Sequence, residues 1–215
     1  MKGIHTMRGL YLVTPNWDDT AHMLEITERA LDAGAALVQY RHKSAPPALR
    51  IEQGAALLAL CRRYSRPLIV NDHVELCMTL GADGVHLGGT DPDVARVRAA
   101  LGPDKIIGAS CYGELDLARA AQRAGASYVA FGGFYPSLVK QYSFRTAPEI
   151  LDQAKAEITL PIVIIGGMTP ENAAPLVARG AHMVAAISSV YGAPDPALAV
   201  RAFDRLFARA PERAA

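Results

Sequence analysis

Gln39, Arg41 and Lys43 occupy alternate positions in the string Val38–Gln39–Tyr40–Arg41–His42–Lys43. Val38 and Tyr40 suit a strand, and alternate strand residues share one face. One amide and two cations therefore leave the strand's end in the same direction. Two cations held together attract an anion, and the planar fork of arginine suits phosphate or carboxylate. A solvated strand end with two surface charges is the simpler account of this string taken alone.

Two carboxylates could join that site. Asp72 follows Val70–Asn71, and Asp91 follows Gly88–Gly89. Neighbouring strands lie about 4.8 Å apart, so residues just past two of them could share a hard cation. Mg2+ is commonly held by one or two carboxylates, with phosphate oxygens and water completing the shell. Each aspartate could instead cap the helix that follows it. A second anion site is suggested by Ile165–Gly166–Gly167–Met168–Thr169–Pro170. Glycines let backbone amides approach an anion. Thr169 at the N-cap and Pro170 at the first helical position would start a helix whose amino end favours negative charge. Ile187–Ser188–Ser189 would face it. The glycines could also serve only a tight turn.

Nucleophilic catalysis finds no support. Cys111 has no evident base partner, and no Ser–His–Asp arrangement suggests itself. His86 falls inside a strand, where a buried ring bonded to a backbone group is expected. His42 points away from Arg41 and Lys43, and His73 is expected on the surface.

These residues need a frame that gathers strand ends. Strands are expected at Gly9–Val13, Leu37–Tyr40, Leu68–Asn71, Gly84–Leu87, Ile106–Ser110, Tyr128–Phe131, Ile162–Ile165 and Met183–Ile187. Helical patterns alternate with them at Asp18–Ala33, Pro46–Tyr64, Val74–Leu80, Asp93–Leu101, Leu115–Ala124, Pro148–Glu157, Thr169–Arg179 and Pro196–Arg209. Eight such units imply parallel strands with right-handed crossovers and a closed (β/α)8 TIM barrel. A Gly–Ala or Ala–Gly turn recurs after helices at Gly34, Gly81, Gly125 and Gly180, at roughly 45-residue intervals. An open doubly wound sheet is disfavoured, because Thr14–Pro15–Asn16–Trp17 lacks a glycine-rich phosphate turn. The expectation is one domain over 1–215, with the barrel proper at about 9–207. In a barrel the chemistry sits at the carboxyl ends of the strands. The polar residues obey this. Asn71 and Asp72 follow strand three, Ser110 ends strand five, Ser137 and Lys140 follow strand six, and Ser188 follows strand eight. The longest connection, Gly132–Ala147, is long enough to expect a functional role.

Bulk properties narrow the partners. The chain has 215 residues, 51% hydrophobic and 20% charged, so it can bury a large core. A net charge of +1 offers no basic excess for nucleic acid or an anionic membrane surface. No apolar run approaches the roughly 18 residues that span a bilayer. Three cysteines at irregular spacing suit reduced thiols in the cytoplasm rather than zinc or disulfides. No secretory signal is expected at the N-terminus, and Met7 is an alternative start.

Taken together, the strings resemble the thiamine phosphate synthase family. The resemblance rests on Gln39-x-Arg41-x-Lys43, Val70–Asn71–Asp72, Gly84–Val85–His86–Leu87–Gly88 with Asp91, Tyr135–Pro136–Ser137 with Lys140, Ile165–Gly166–Gly167–Met168–Thr169 and Ile187–Ser188. It implies a Mg2+-dependent transferase. Such an enzyme joins 4-amino-5-hydroxymethyl-2-methylpyrimidine diphosphate to a thiazole monophosphate through a pyrimidine methylene cation and releases diphosphate. By the same resemblance Gln39 would bond the pyrimidine, and Arg41, Lys43, Asn71 and Lys140 would hold the diphosphate. Asp72 and Asp91 would hold Mg2+, and Ser110 would lie near the pyrimidine and its departing group. Ser137, Gly167, Ile187 and Ser188 would hold the thiazole phosphate. Arg41, Lys43, Ser110 and Lys140 are the expected catalytic residues. The expected partners are the two small substrates, with a homo-oligomer left open. Three departures from the family pattern stand out. Val139 replaces a threonine, Gly89 a common glutamine, and Cys111–Tyr112–Gly113 a histidine-containing stretch. The competing expectations are a thiazole tautomerase, which resembles the synthase but lacks the full diphosphate set, and a non-catalytic barrel that binds thiamine phosphate.

Overall fold

The computed structural model describes residues 7–89, 93–137 and 143–208. Each short apolar run forms a parallel strand, and the eight strands close into a barrel in chain order. They are β1 Gly9–Val13, β2 Leu37–Tyr40, β3 Leu68–Asn71, β4 Gly84–Leu87, β5 Ile106–Tyr112, β6 Tyr128–Gly132, β7 Ile162–Ile165 and β8 Met183–Ala186. The helices between and after them are α1 Thr20–Asp32, α2 Pro47–Arg63, α3 Val74–Leu80, α4 Val94–Leu101, α5 Leu115–Arg123, α6 Ile150–Glu157, α7 Pro170–Ala178, α8 Ser188–Tyr191 and α9 Pro196–Ala208. The chain is thus a single-domain (β/α)8 barrel. None of the described helices is long and apolar enough to cross a membrane.

Strand and helix boundaries follow local chemistry. Asp19 and Asp93 accept hydrogen bonds from the first-turn amides of α1 and α4, at 2.9 Å from His22 and 2.8 Å from Ala95. The glycines expected after helices, Gly34, Gly81, Gly125 and Gly180, all have φ between 66° and 114°, as a chain reversing from helix to strand requires. Three expected strand ends need correction. β6 runs one residue further, to Gly132. β8 stops at Ala186, because Ile187 turns out of the extended region (φ −120°, ψ −83°) and caps α8. α8 itself was not expected, since four residues are too few to display a helical period. β5 runs two residues beyond Ser110, with its register to β6 shifting between Ser110 and Tyr112.

Alternation along the strands separates two cores. One face packs against the helices, with Leu10, Leu12, Val38, Phe131 and Ile164 among its members. The other points into the barrel and brings together Tyr11, Val13, Leu37, Ile69, Tyr128, Val163 and Met183. Tyr11 and Tyr128 meet edge to face, with ring centroids 5.8 Å apart. The Tyr128 ring fits because β5 has no side chain at Gly108, its register partner. A Cβ there would overlap the Tyr128 ring, and one at Gly84 would run into the Ile106 backbone.

The three cysteines are free and buried. Burial pushes the Cys61 and Cys111 thiols up to about 12 and raises Cys77 as well.

Gly108→Ala should cost about 2 kcal/mol by overpacking. A thermal melt should then show a Tm lower by about 4–8 °C; an unchanged Tm would mean the Tyr128 ring is not confined by β5. At pH 8 the folded protein should react negligibly with an aromatic disulfide reagent, and all three thiols should react in denaturant. A fast-reacting thiol in the native protein would contradict this burial.

Candidate active site

The barrel mouth at the carboxyl ends of the strands opens into a cavity of about 400 Å3. One step above the Leu37–Ile69–Tyr128 layer, the same alternation turns Gln39, Asn71, His86 and Ser110 into this cavity. Arg41 and Lys43 line it as well, although β2 has ended at Tyr40. Their place is held by the loop after β1. The Thr14 hydroxyl accepts from the Arg41 amide (2.8 Å) and donates to the Arg41 carbonyl (3.1 Å). Asn16 Oδ1 accepts from the Lys43 amide (3.2 Å) and from Arg41 Nη1 (3.4 Å). Thr14 and Asn16 escaped the sequence analysis. Their position just after β1 was the available signal, since polar residues after the other strands were already suspect. His42 points away from the cavity, buried, with Nε2 3.0 Å from an Asp18 carboxylate oxygen.

Asp72 lies at the cavity wall with φ 62°, a left-handed conformation that costs a non-glycine residue about 1 kcal/mol or more. Its amide donates to the His86 carbonyl at 2.9 Å, which holds that conformation. Its carboxylate caps no helix. α3 begins one residue later, at an N-cap His73 that makes no side-chain cap bond. The Asp72 carboxylate instead lies 3.4 Å from Lys43 Nζ. The cap of α4 is Asp93 rather than Asp91. Asp91, Lys140 and Val139 lie outside the described residues. Among the described residues no group of three His, Cys, Asp or Glu side chains gathers to hold a metal.

His86 corrects an expectation. Its ring bonds to side chains, with Nδ1 2.9 Å from the Tyr128 hydroxyl and Nε2 2.9 Å from Ser110 Oγ. The Tyr128 hydroxyl is 2.8 Å from that of Tyr11, which accepts from Gln39 Nε2 at 2.7 Å. Strand periodicity identified the inward face but could not show that an inward histidine would find side-chain partners on β5 and β6.

Across the ring from β3, the turn after β7 forms a cradle. Gly166 and Gly167 have φ of 112° and 59°, and a Cβ on Gly167 would overlap the Pro136 carbonyl. The turn is fixed by a capping box at the start of α7. Asn172 accepts from the Thr169 amide (2.9 Å), Thr169 Oγ1 accepts from the Asn172 amide (3.3 Å), and Asn172 Nδ2 donates to the Gly167 carbonyl (2.8 Å). Ser137, Ile187 and Ser188 line the same side of the cavity. The first amides of α8 have no intrahelical acceptor. Ser189, which sequence reasoning named only as part of a string, presents a buried hydroxyl with no partner among the described residues. A buried orphan donor beside glycine-turn amides suits an anion.

Two of the departures from the family pattern meet each other. The Tyr112 hydroxyl accepts from the Gly89 amide at 2.9 Å, and Tyr112 itself has φ 52°. A Cβ at residue 89 would approach that hydroxyl to 3.0 Å. Glycine at 89 and tyrosine at 112 are therefore sterically matched.

Comparison with known proteins agrees with this geometry. The profile of the thiamine monophosphate synthase family matches residues 10–190. A thiamine-phosphate synthase of Janthinobacterium sp. (strain Marseille) is 63% identical over 203 residues, covering 94% of this chain and 98% of that protein. One from Thiobacillus denitrificans is 50% identical, covering 95% and 97%. The solved structure of a thiamine phosphate pyrophosphorylase from Pyrococcus furiosus superposes with a TM-score of 0.84 at 30% identity, covering 96% of this chain and 98% of that one. The chain belongs to the thiamine monophosphate synthase family.

Proposed function

We propose that this chain, a transferase of the thiamine-phosphate synthases, joins 4-amino-5-hydroxymethyl-2-methylpyrimidine diphosphate to 4-methyl-5-(2-phosphoethyl)thiazole by a dissociative route. The observation that carries this reading is one cavity with two separate anion-suited sides. Arg41, Lys43 and Asn71 line one side, and the Gly167 turn with Ser137, Ile187 and Ser188 lines the other. A diphosphate suits the cationic side, and a monophosphate suits the amides and hydroxyls. The polar floor between them, Gln39 to Ser110, suits a hydrogen-bonding heterocycle.

The chemistry asks little covalent work of the protein. Departure of diphosphate leaves a pyrimidine methylene cation stabilised by the electron-rich aminopyrimidine, and the thiazole nitrogen captures it. Arg41, Lys43 and Lys140 stabilise charge building on the leaving group. Gln39 and Ser110 hold the pyrimidine, and the phosphate cradle holds the thiazole in line for capture. Keeping water away from both rings protects the cation, which water would quench. The absence of an activated thiol at the buried Cys111 agrees with a route that needs no protein nucleophile.

The donor set fits a magnesium ion. Mg2+ needs one or two carboxylates, with phosphate oxygens and water supplying the rest, and the Asp72 carboxylate is not spent on a helix cap. Asp72 and Asp91 would hold the ion, which would neutralise diphosphate charge. The barrel, about 9–207, would act as one unit. It would work on small molecules in the cytoplasm without nucleic acid, alone or as a homo-oligomer.

Mixing both substrates with the protein should yield thiamine phosphate and diphosphate in equal amounts with Mg2+, and almost none after chelation. Binding of both ligands without product would sink the reading. Asp72→Ala should lower kcat by about 100-fold while leaving thiazole-phosphate affinity, measured by calorimetry, within about twofold. Equal loss of both would assign Asp72 a purely structural role.

A further inference from the structure

Four hydrogen bonds join Gln39 to Ser110 across the barrel floor. They run from Gln39 Nε2 to the Tyr11 hydroxyl (2.7 Å), then to the Tyr128 hydroxyl (2.8 Å), His86 Nδ1 (2.9 Å) and, from Nε2, Ser110 Oγ (2.9 Å). The links come from five different strands, β2, β1, β6, β4 and β5, so no local segment sets them. Gln39, Tyr11, His86 and Ser110 border the cavity, whereas Tyr128 lies beneath it, fully buried.

Proton counting gives the chain a direction. Each hydroxyl has one proton to donate. Tyr11 accepts from the Gln39 amide, and donating its own proton to the Tyr128 hydroxyl is the arrangement that leaves no buried donor of the chain unpaired. Tyr128 then donates to His86 Nδ1. A neutral imidazole that accepts at Nδ1 bears its proton on Nε2, and donates it to Ser110 Oγ. Ser110 is left with its own proton to offer to the cavity. At the other end, Gln39 Oε1 is left to accept. Burial raises both phenols, so neither loses its proton near neutral pH. Reversing the Tyr11–Tyr128 bond also reverses both His86 bonds, and it leaves the Tyr11 proton without an acceptor unless the Gln39 amide rotates to offer its oxygen. Such chains resist partial reversal because each link polarises the next.

We infer that Tyr11, Tyr128 and His86 are positioning residues that lock Gln39 as an acceptor and Ser110 as a donor, and so select an aminopyrimidine over its 4-oxo counterpart. This rests on the reading that the pyrimidine lies over Gln39 and Ser110. An exocyclic amino group donates, as Gln39 Oε1 requires, and a ring nitrogen accepts, as the Ser110 hydroxyl requires. The 4-oxo ring presents an acceptor and an N–H in their place, which faces like against like at both ends. Without the middle link, Gln39 could rotate freely and the Ser110 end could reverse independently. Selectivity would fall while packing stayed.

The test is Tyr128→Phe, which keeps the buried ring and removes only the middle hydroxyl. Calorimetry with Mg2+ and no thiazole phosphate would compare 4-amino-5-hydroxymethyl-2-methylpyrimidine diphosphate with its 4-oxo counterpart. The wild-type protein should prefer the amino compound by at least about tenfold, the scale of one mispaired buried hydrogen bond. The variant's preference should shrink to about threefold or less, with thiazole-phosphate affinity unchanged. Tyr11→Phe, which frees Gln39 at the other side of the link, should narrow the preference likewise and stands in should Tyr128→Phe fold poorly. Undiminished preference in a folded variant would overturn the inference and leave the proposed reaction intact. Amino-selective binding that depends on Tyr128, but with no thiamine phosphate formed by the wild type, would uphold the inference and overturn the reaction. Wild-type protein that binds neither pyrimidine would overturn both.

Discussion

The Tyr128 phenol, standing inside the barrel against a strand with no side chain at Gly108, is the constraint on which the site depends. The ring fills the barrel interior edge to face with Tyr11, which gives the lower layer an aromatic core. The same residue turns its hydroxyl toward the polar layer above. One side chain thus closes the apolar core and begins the hydrogen-bonded floor. A phenylalanine would satisfy only the first requirement, and a smaller polar residue only the second. Three positions on β4, β5 and β6 pack in register, with His86 beside Gly108 and Gly108 beside Tyr128. Space for one ring is obtained by omitting a side chain on the neighbouring strand.

Above this floor the cavity wall is less regular, and its chemistry comes from residues past the strand ends. Arg41 and Lys43 are not held by a ladder, since β2 has already stopped. They are held by Thr14 and Asn16 from the adjacent turn, which bond to backbone and side chain alike. The contact between Lys43 and Asp72 is half exposed, with side chains 58% and 25% accessible. A pair of that kind adds little stability, and both groups line the cavity. Asp72 and Tyr112 both adopt a left-handed backbone at one cavity. Each costs about 1 kcal/mol or more and persists only because the surrounding structure holds it.

Much of the architecture was legible along the chain. The eight apolar runs, their alternation with helical patterns and the glycines after four helices are local properties, and each left its own periodic mark. β1, β2, β3, β4 and β7 appear with the expected limits. The departures at β5 and β8 arise where long-range packing overrides the local pattern. Tyr112 extends β5 through a shifted register with β6, and Ile187 leaves β8 to start a single turn of helix. The glycine turn with Thr169 and Pro170 was likewise visible, because a cap is written in adjacent residues. The partners of Thr14, Asn16 and His86 were not, because each lies on another strand or loop more than twenty positions away.

The sequence by itself determined the barrel, the face of each strand that turns inward and the family's ordered set of polar strand ends. These depend on periods of two and of 3.6 residues and on short motifs, all of which survive reading one segment at a time. The tertiary structure alone decided that Gln39 and Ser110 are the two ends of one hydrogen-bonded chain, that Asp72 is free of any capping duty, and that Gly89 makes room for Tyr112. Closing eight strands into a ring brings together side chains that are distant in sequence. The direction in which such side chains share protons is a property of the closed ring, not of any strand within it.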